Sequence, residues 1–382
     1  MARGRKNGGG RGGGVRARQL ENARHREALE RAFATRMIDA PDHAPLVVAR
    51  SARREPFHRW LSYRQGFAPE LVRRFLGEAS IPDGVILDPF SGSGTVPTEA
   101  ARAGRVGLGI DAVGSLSVMA RARALDPPGT MAIASDANPE AAYGAATTTS
   151  ERAAVLIAAA SMVDGEGHIK KNGIAFSEIL ADTLEFMRED TRRDDRPLGS
   201  GFAQGDARRL PLGDRTIAGV LTSPPYLSRY DYARVNDPAE RLWRGRGRRA
   251  GRKRQLRASR VASRRHGDAG HEAAREAAER LEEDGRHKEA DAALAYLADM
   301  EQVVSELGRV MQPGAPLWMV VAGAELKKTY VPCDLIIAAA CDAAGLAVEE
   351  IRVARTLKQG GRRLGGLDDI APREVVIVAR RT

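Results

Sequence analysis

The chain has 382 residues, of which 43% are hydrophobic, 29% charged and only 5% aromatic. This apolar content excludes a wholly disordered chain, and the length suggests one large domain with insertions or two domains. No apolar run approaches the roughly 20 residues of a membrane span. The two cysteines, Cys333 and Cys341, exclude a disulfide framework and a four-cysteine zinc site, so we expect a cytoplasmic protein.

The net charge of +10 is concentrated in two segments. Residues 1–20 carry six Lys/Arg and residues 241–265 carry twelve, and neither segment contains an acid. Removing these eighteen positive charges leaves the other 337 residues at −8. The Gly/Arg-rich residues 1–20 are predicted to form a disordered tail, and the body of the protein is mildly acidic.

From residue 56 onward the pattern is that of an α/β protein. Helical spacing follows Pro69, and short apolar strands separated by helical stretches predict a parallel sheet with crossover helices. The predicted strands cover residues 85–87, 106–110, 217–221, 317–322, 346–354 and 374–380. We expect one domain over 56–382, interrupted by a helical insertion at 126–200 and by a second insertion at 236–290, basic and then Ala/Glu-rich.

A glycine-rich turn, Asp88–Thr95 (DPFSGSGT), lies between a predicted strand and a predicted helix. Its glycines let a ligand approach the backbone, although the same residues would also suit a plain strand-to-helix turn. A P-loop needs Lys where Thr95 stands, and a dinucleotide fingerprint needs Gly where Pro97 stands. The pattern therefore favours a nucleoside cofactor without a pyrophosphate, such as S-adenosyl-L-methionine, with Asp111 at the end of the next strand accepting ribose hydroxyls.

A second motif, Ser223-Pro224-Pro225-Tyr226, follows the strand predicted at 217–221. Two prolines hold the backbone extended, so the Ser223 hydroxyl and nearby carbonyls are fixed, and Tyr226 offers a flat face. Such a device can orient a planar exocyclic amine, a poor nucleophile, toward a methyl donor. By itself the tetrapeptide is more typical of a proline-rich loop that ends a strand, and only its combination with the glycine-rich turn favours the functional interpretation.

Together the two motifs resemble the family of DNA amino-methyltransferases, which methylate N4 of cytosine or N6 of adenine with S-adenosyl-L-methionine. The family's DPFxGSGT segment helps to bind the cofactor, and its (S/N/D)PP(Y/F) tetrapeptide forms the catalytic loop. Residues 57–67 (FHRWLSYRQGF) resemble the stretch that closes over the methionine end of the cofactor, and Asp206 resembles the acid that approaches the adenine amine. The resemblance implies cofactor contacts from Asp88, Phe90, Ser91, Gly92, Gly94, Thr95, Asp111, Asp206, Trp60 and Tyr63.

This resemblance implies a Rossmann-like class I S-adenosylmethionine-dependent methyltransferase with a mostly parallel seven-stranded sheet and helical insertions. It also implies DNA as the partner and direct methyl transfer without a covalent enzyme intermediate, with no metal. Ser223 favours cytosine N4 as the target. An N6-adenine enzyme, an RNA methyltransferase and a non-catalytic nucleic-acid-binding protein on the same scaffold are the alternatives. The recognition sequence, the oligomeric state and the presence of a cognate restriction enzyme stay open.

The sequence departs from the family after the tetrapeptide. An apolar helix carrying a Glu usually follows, but here the chain runs through Glu240 into the basic residues 241–265. Clustered arginines are typical of an arm that contacts nucleic-acid phosphates. A solvated loop, or a frame slip in a GC-rich gene that leaves the enzyme inactive, would produce the same composition.

Overall fold

The computed structural model describes residues 24–61, 63, 66–134, 136–163, 174–227, 232–245, 270–357 and 372–382, and only the backbone of residues 232–234. The predicted tail at 1–20 and most of the basic segment, residues 246–265, lie outside the described residues. No helix in the described part of the chain is long and apolar enough to cross a membrane.

Eight strands form the main sheet, and two further short strands form a hairpin. The main strands are β1 (Met37–Asp39), β2 (Val85–Asp88), β3 (Val106–Asp111), β4 (Ser200–Gln204), β5 (Ile217–Thr222), β6 (Pro316–Ala322), β9 (Leu346–Thr356) and β10 (Arg373–Arg381). The hairpin pairs β7 (Ala324–Leu326) with β8 (Thr329–Val331). Each strand predicted from the sequence is present.

The strand order of the main sheet is β1-β9-β10-β6-β5-β2-β3-β4. Among its described pairs only those of β10 are antiparallel. The chain leaves β2 for β3 on one side and later returns to β5 on the other, so the order reverses between the two central strands. This is the Rossmann-like α/β arrangement that the resemblance implies, and ligands bind such sheets at the carboxyl ends of the strands beside this reversal.

The sheet has eight strands rather than the predicted seven. The additional strand, β1, pairs in parallel with β9 over three residues, and it precedes residue 56, so the sheet domain begins earlier than expected. A three-residue strand with mostly exposed side chains has no alternating pattern for sequence reasoning to detect. The sequence does not predict the edge strand β4 either, because all five of its residues are half-buried and no alternating pattern results.

Helices cover both faces of the sheet and form the insertions. The helices are α1 (Arg24–Phe33), α2 (Pro69–Glu78), α3 (Thr95–Arg102), α4 (Gly114–Arg121), α5 (Pro139–Ala145), α6 (Thr149–Ser161), α7 (Phe176–Asp190), α8 (Tyr232–Arg244), α9 (Glu272–Glu283), α10 (His287–Val310) and α11 (Cys333–Ala343). Helices α5, α6 and α7 lie between residues 126 and 200.

Alternate residues of the central strands enter different cores. In β6, Leu317, Met319 and Val321 pack with α10 and α11, whereas Trp318 and Val320 pack with α2 on the opposite face. A third core joins α6 and α7 to α4 and to the segment around Phe57. The helices of the 126–200 region are therefore packed beside the carboxyl edge of the sheet on the β3 side.

Candidate active site

The glycine-rich turn connects the end of β2 to α3. Gly92 and Gly94 have φ angles of +49° and +82°, a region that disfavours residues with a Cβ. The Ser91 amide donates to the Ile110 carbonyl at 3.0 Å, which attaches the turn to β3. Within the described residues the buried Ser91 hydroxyl has no hydrogen-bond partner. The turn thus keeps one buried polar atom available for a ligand.

Tyr63 packs directly on this turn. A Cβ at Gly92 would lie 2.8 Å from the Tyr63 ring, so only glycine allows this approach. Gly94 is equally crowded, because a Cβ there would lie 2.6 Å from the Phe202 ring and 2.9 Å from Nη1 of Arg123. The structure therefore brings together the turn and one of the two aromatic residues predicted to cover the cofactor.

Asp111 ends β3 beside the turn. Its Oδ2 accepts a hydrogen bond from the Gly92 amide and its Oδ1 accepts one from the Val113 amide, both at 2.8 Å. Burial raises the pKa of the carboxyl to about 6, against the lowering effect of the two amides. A carboxylate has about four lone-pair sites, so each oxygen of Asp111 can accept one more hydrogen bond, as a ribose diol would require.

Asp88 links the two motifs. It is 2% exposed, and its Oδ1 accepts hydrogen bonds from the Thr222 hydroxyl at 2.6 Å and from the Phe90 amide at 3.0 Å. Burial raises the pKa of this carboxyl to about 7, opposed by those hydrogen bonds. Because Thr222 immediately precedes Ser223, this contact holds the tetrapeptide next to the turn.

The tetrapeptide leaves the carboxyl end of β5. Pro224 is buried, and Ser223, Pro225 and Tyr226 are half-buried. Within the described part of the chain the Ser223 hydroxyl has no hydrogen-bond partner. The Tyr226 hydroxyl donates to Oε1 of Glu374 at 2.9 Å, so a buried carboxylate at the start of β10 fixes the far end of the ring.

Trp60 serves the core rather than the turn. Its side chain is 3% exposed, and its indole N–H donates to Oδ2 of Asp190 at 2.7 Å. The same Oδ2 accepts from the Phe57 amide at 2.7 Å, and Oδ1 accepts from Nη2 of Arg59 at 2.6 Å. Asp190, at the end of α7, therefore gathers three residues of the 57–60 segment. Trp60 thus has a packing role in this core, and its contact with the cofactor stays a prediction.

Arg123 joins that segment to the turn. It is 2% exposed, and its Nε donates to the Phe57 carbonyl at 2.7 Å while Nη1 donates to the Ser93 carbonyl. Burial lowers the pKa of this guanidinium to about 10, so it is charged at neutral pH. Phe57 itself has a φ of +66°, a strained value for a bulky residue. This backbone conformation is held by the hydrogen bonds of its amide to Asp190 and of its carbonyl to Arg123.

A buried hydrogen bond between His58 and Glu99 lies under the same segment. His58 Nε2 is 2.8 Å from Oε1 of Glu99, which also binds Nη1 of Arg102 at 2.7 Å. Burial lowers the pKa of His58. The pKa of Glu99 is also lowered, to about 2: burial opposes this change, but the hydrogen bond from His58 and the arginines outweigh it. His58 is thus a buried interior residue that contacts Glu99 of α3.

Asp206 is already engaged by an arginine. Its Oδ2 lies 2.7 Å from Nη2 of Arg208, whose Nη1 reaches Oδ1 of the buried Asp299 at 3.1 Å. Side-chain hydrogen bonding to Asp206 raises the pKa of Arg208 further. An adenine amine at this position would share Asp206 with a charged neighbour.

The helix expected after the tetrapeptide is present, which corrects the proposed start of the second insertion at residue 236. Positions 236, 239, 240 and 243 of α8 face the protein at helical spacing, but Asn236 and Glu240 are polar, so the apolar pattern is hidden. Glu240 is 3% exposed, and its Oε2 accepts from the Ser115 amide at 2.9 Å at the start of α4. Trp243 covers Gly114, where a Cβ would lie 2.2 Å from the indole ring.

The middle of this site matches a known family. Residues 50–115 match the model of the N6/N4 methylases, described as DNA methylase. The Type II methyltransferase M.BsoBI of Geobacillus stearothermophilus is 39% identical over 67 residues, which are 17% of this chain and 13% of that protein. The resemblance to DNA amino-methyltransferases is confirmed over this segment, which contains the turn and Asp111.

Two solved structures are similar to this chain at low sequence identity. A S-adenosylmethionine-dependent methyltransferase from Methanosarcina mazei has 12% identity and a TM-score of 0.34, over 80% of this chain and 96% of that chain. TrmN from Thermus thermophilus has 16% identity and a TM-score of 0.32, over 86% of this chain and 53% of that chain. The family match supports S-adenosyl-L-methionine as the cofactor.

Proposed function

We propose that this chain, a member of the DNA amino-methyltransferase family by its residues 50–115, transfers a methyl group from S-adenosyl-L-methionine to the N4 amine of cytosine in DNA. The observation that supports this most is the 2.6 Å hydrogen bond from Thr222 to Asp88, which joins the tetrapeptide to the cofactor turn. Two motifs that are 134 residues apart in sequence thereby form one site at the reversal of the strand order.

The residues of the turn fit a nucleoside cofactor. The buried Ser91 hydroxyl has no partner among the described residues and would be satisfied by a ligand, and Asp111 retains acceptor capacity for a ribose diol. When bound, S-adenosyl-L-methionine would supply an electrophilic methyl group. Tyr63, packed on Gly92, would exclude water from that side of the turn.

The tetrapeptide would hold the target amine. The Ser223 hydroxyl and the Pro224 carbonyl accept its N–H groups, and Tyr226 stacks on the base with its ring fixed through Glu374. Orienting the nitrogen lone pair toward the methyl carbon converts a weak nucleophile into a positioned one. S-adenosyl-L-methionine, held by the turn and Asp111, would supply the methyl group and keep its sulfur as a thioether, and the methylated amine would give up one proton to solvent.

The cysteines give no support to methylation at carbon 5 of cytosine, which needs a thiolate nucleophile. Both thiols are buried, and burial raises the pKa of Cys341 to about 12 and that of Cys333 further. These thiols are structural parts of α11. The choice of cytosine over adenine depends on Ser223, since the family resemblance associates serine at this position with N4 chemistry.

The test is the identity of the methylated nucleoside. Purified protein is incubated with unmethylated genomic DNA and deuterated cofactor, and the digested nucleosides are analysed by mass spectrometry, with Ser223→Ala as the control. We expect N4-methylcytosine, reduced at least 100-fold in the variant. N6-methyladenine as the only product would make this an adenine enzyme, and methylation of RNA alone would overturn both assignments. Absence of cofactor binding by calorimetry would favour a non-catalytic scaffold.

A further inference from the structure

An open groove of about 430 Å³ lies at the carboxyl edge of the sheet, on the side away from the glycine-rich turn. Its apolar wall is formed by the loop of residues 44–48 and by Ala68. Its polar lining consists of Arg50, Ser51, Glu70 and Arg355. The volume falls within the roughly 300–1,000 Å³ typical of small-ligand pockets.

The groove is next to the tyrosine of the tetrapeptide. Arg355 lies near the carboxyl end of β9, opposite Glu374 in the antiparallel pair, and its Nε donates to Oε2 of Glu374 at 2.6 Å. The other oxygen of that carboxylate accepts from the Tyr226 hydroxyl. One buried carboxylate thus connects the groove to the ring that is proposed to stack on the target base.

One guanidinium of the groove, that of Arg50, has no acid within ion-pair distance in the described residues, whereas Arg355 is paired with Glu374. Arg50 is exposed and makes no side-chain hydrogen bond or ion pair within the described residues. Arg355 uses only its Nε, so its two terminal nitrogens have no partner in the same residues. The acid in the groove, Glu70, instead accepts from the Ser51 hydroxyl at 2.7 Å. The Arg50 guanidinium and the two terminal nitrogens of Arg355 are therefore available to an anion.

We propose that this groove holds the nucleotide that adjoins the target base in the substrate strand, with its base on the apolar wall and its phosphate between Arg50 and Arg355. This inference rests on the proposed function. A strand whose base leaves the stack to reach Tyr226 continues on either side of it, and phosphate contacts from arginines fix its register. The groove supplies both features beside that tyrosine.

The experiment compares two variants that lose the same charge. Arg50→Gln removes a groove guanidinium, and Arg53→Gln removes an exposed one three residues away that does not line the groove. Arg355 is left intact because it orients Glu374. The probe is a duplex oligonucleotide containing the sequence that the wild type methylates, bound in the presence of S-adenosylhomocysteine. Single methylphosphonate substitutions then neutralise each phosphate near the target in turn.

We expect Arg50→Gln to weaken binding about fivefold and to lower the salt dependence by about one charge, with cofactor affinity unchanged. One methylphosphonate should weaken binding to the wild type and to Arg53→Gln but not to Arg50→Gln. Two results would overturn the groove assignment if the wild type still methylates DNA. Arg50→Gln and Arg53→Gln could bind the duplex with the same affinity, or no methylphosphonate could affect the wild type more than it affects Arg50→Gln. A wild type that transfers no methyl group to DNA overturns the proposed function and the groove with it.

Discussion

The Thr222 hydroxyl donates a 2.6 Å hydrogen bond to the buried carboxylate of Asp88, and this contact joins the ends of the two central strands. Asp88 begins the turn proposed to bind the cofactor, and Thr222 precedes the tetrapeptide proposed to bind the amine. The parallel pairing of β2 with β5 sets the spacing between the two half-sites, and this buried side-chain pair joins them at the strand ends.

Replacing Asp88 should change how stability depends on pH. Burial raises the pKa of its carboxyl to about 7, whereas it ionises near about 4 in the unfolded chain. The folded protein keeps a proton that the unfolded chain releases, so this contribution to stability is greatest below pH 4 and is lost as the pH rises through 7. Asp88→Asn keeps the acceptor oxygen without the charge. As the pH rises from 5 to 8, the free energy of unfolding of this variant should increase by about 2 kcal/mol relative to that of the wild type.

This prediction is checked by thermal unfolding in buffers from pH 4.5 to pH 8.5. The matched control is Asp83→Asn, which changes an exposed carboxyl five residues earlier. A difference in Tm between Asp88→Asn and the wild type that is the same at every pH would contradict the pKa assignment.

Asp111 and Ser223 should have separable effects. Asp111→Ala removes the proposed acceptor of the ribose diol and should raise the cofactor Kd at least about tenfold. Ser223→Ala should leave that Kd unchanged and lower kcat, because the hydroxyl is proposed to bind the amine. Calorimetry and single-turnover assays separate the two effects, and equal loss of cofactor affinity in both variants would refute the assigned roles.

Cofactor binding should also weaken in acid. The pKa of Asp111 is raised by burial to about 6, so its carboxylate takes up a proton as the pH falls through 6 and loses acceptor capacity. The cofactor Kd of the wild type should therefore rise from pH 7.5 to pH 5. In Asp111→Asn the cofactor Kd should be higher than that of the wild type at pH 7.5 and should rise less between pH 7.5 and pH 5. If the Kd of the variant and that of the wild type change in parallel with pH, Asp111 is not the titrating group.

Asp190 should act on cofactor binding from a distance. Asp190→Ala leaves the Phe57 amide and the Trp60 indole N–H unpaired in the interior, which should cost about 3 kcal/mol of stability. Because the same segment carries Tyr63 onto Gly92, the cofactor Kd should also rise about tenfold when measured well below the Tm. Glu189→Gln, which breaks only an exposed pair with Arg59, is the control. An unchanged Kd in Asp190→Ala would restrict Asp190 to a structural role.

The Tyr226 hydroxyl should matter less for binding than for turnover. Tyr226→Phe keeps the stacking face but removes the hydrogen bond to Glu374, so the ring loses its fixed orientation. We expect kcat to fall about tenfold with the KM for DNA nearly unchanged. A large rise in KM with unchanged kcat would mean that the hydroxyl contributes to DNA binding instead.

Local signals explain what the sequence could predict. The turn, the tetrapeptide and the apolar strands are each specified by a few consecutive residues, and Asp111 follows from its place at a strand end. The partners of these elements lie far along the chain. Glu374 is 148 residues from Tyr226 and Asp190 is 130 residues from Trp60. Contacts between residues so far apart in the chain cannot be predicted from local sequence patterns.

Buried polar groups explain the main correction. The sequence predicts an insertion from residue 236 because no apolar helical pattern precedes the basic residues, yet Asn236 and Glu240 are both buried and Glu240 accepts the Ser115 amide at the start of α4. A carboxylate at a helix N-terminus is favourable because it meets unpaired amides. A hydropathy pattern predicts that such a polar residue is exposed, and its buried partner is identified only from the structure.

The contact between Trp243 and Gly114 gives the protein an optical reporter. The chain contains three tryptophans, and Trp60 and Trp318 are 3% and 2% exposed in separate cores. Trp243 is half-buried and covers the residue three positions after Asp111. Trp243 is therefore the tryptophan most exposed to solvent, and it contacts the segment that follows the cofactor-side acid, so its fluorescence allows ligand titrations to be followed without a label.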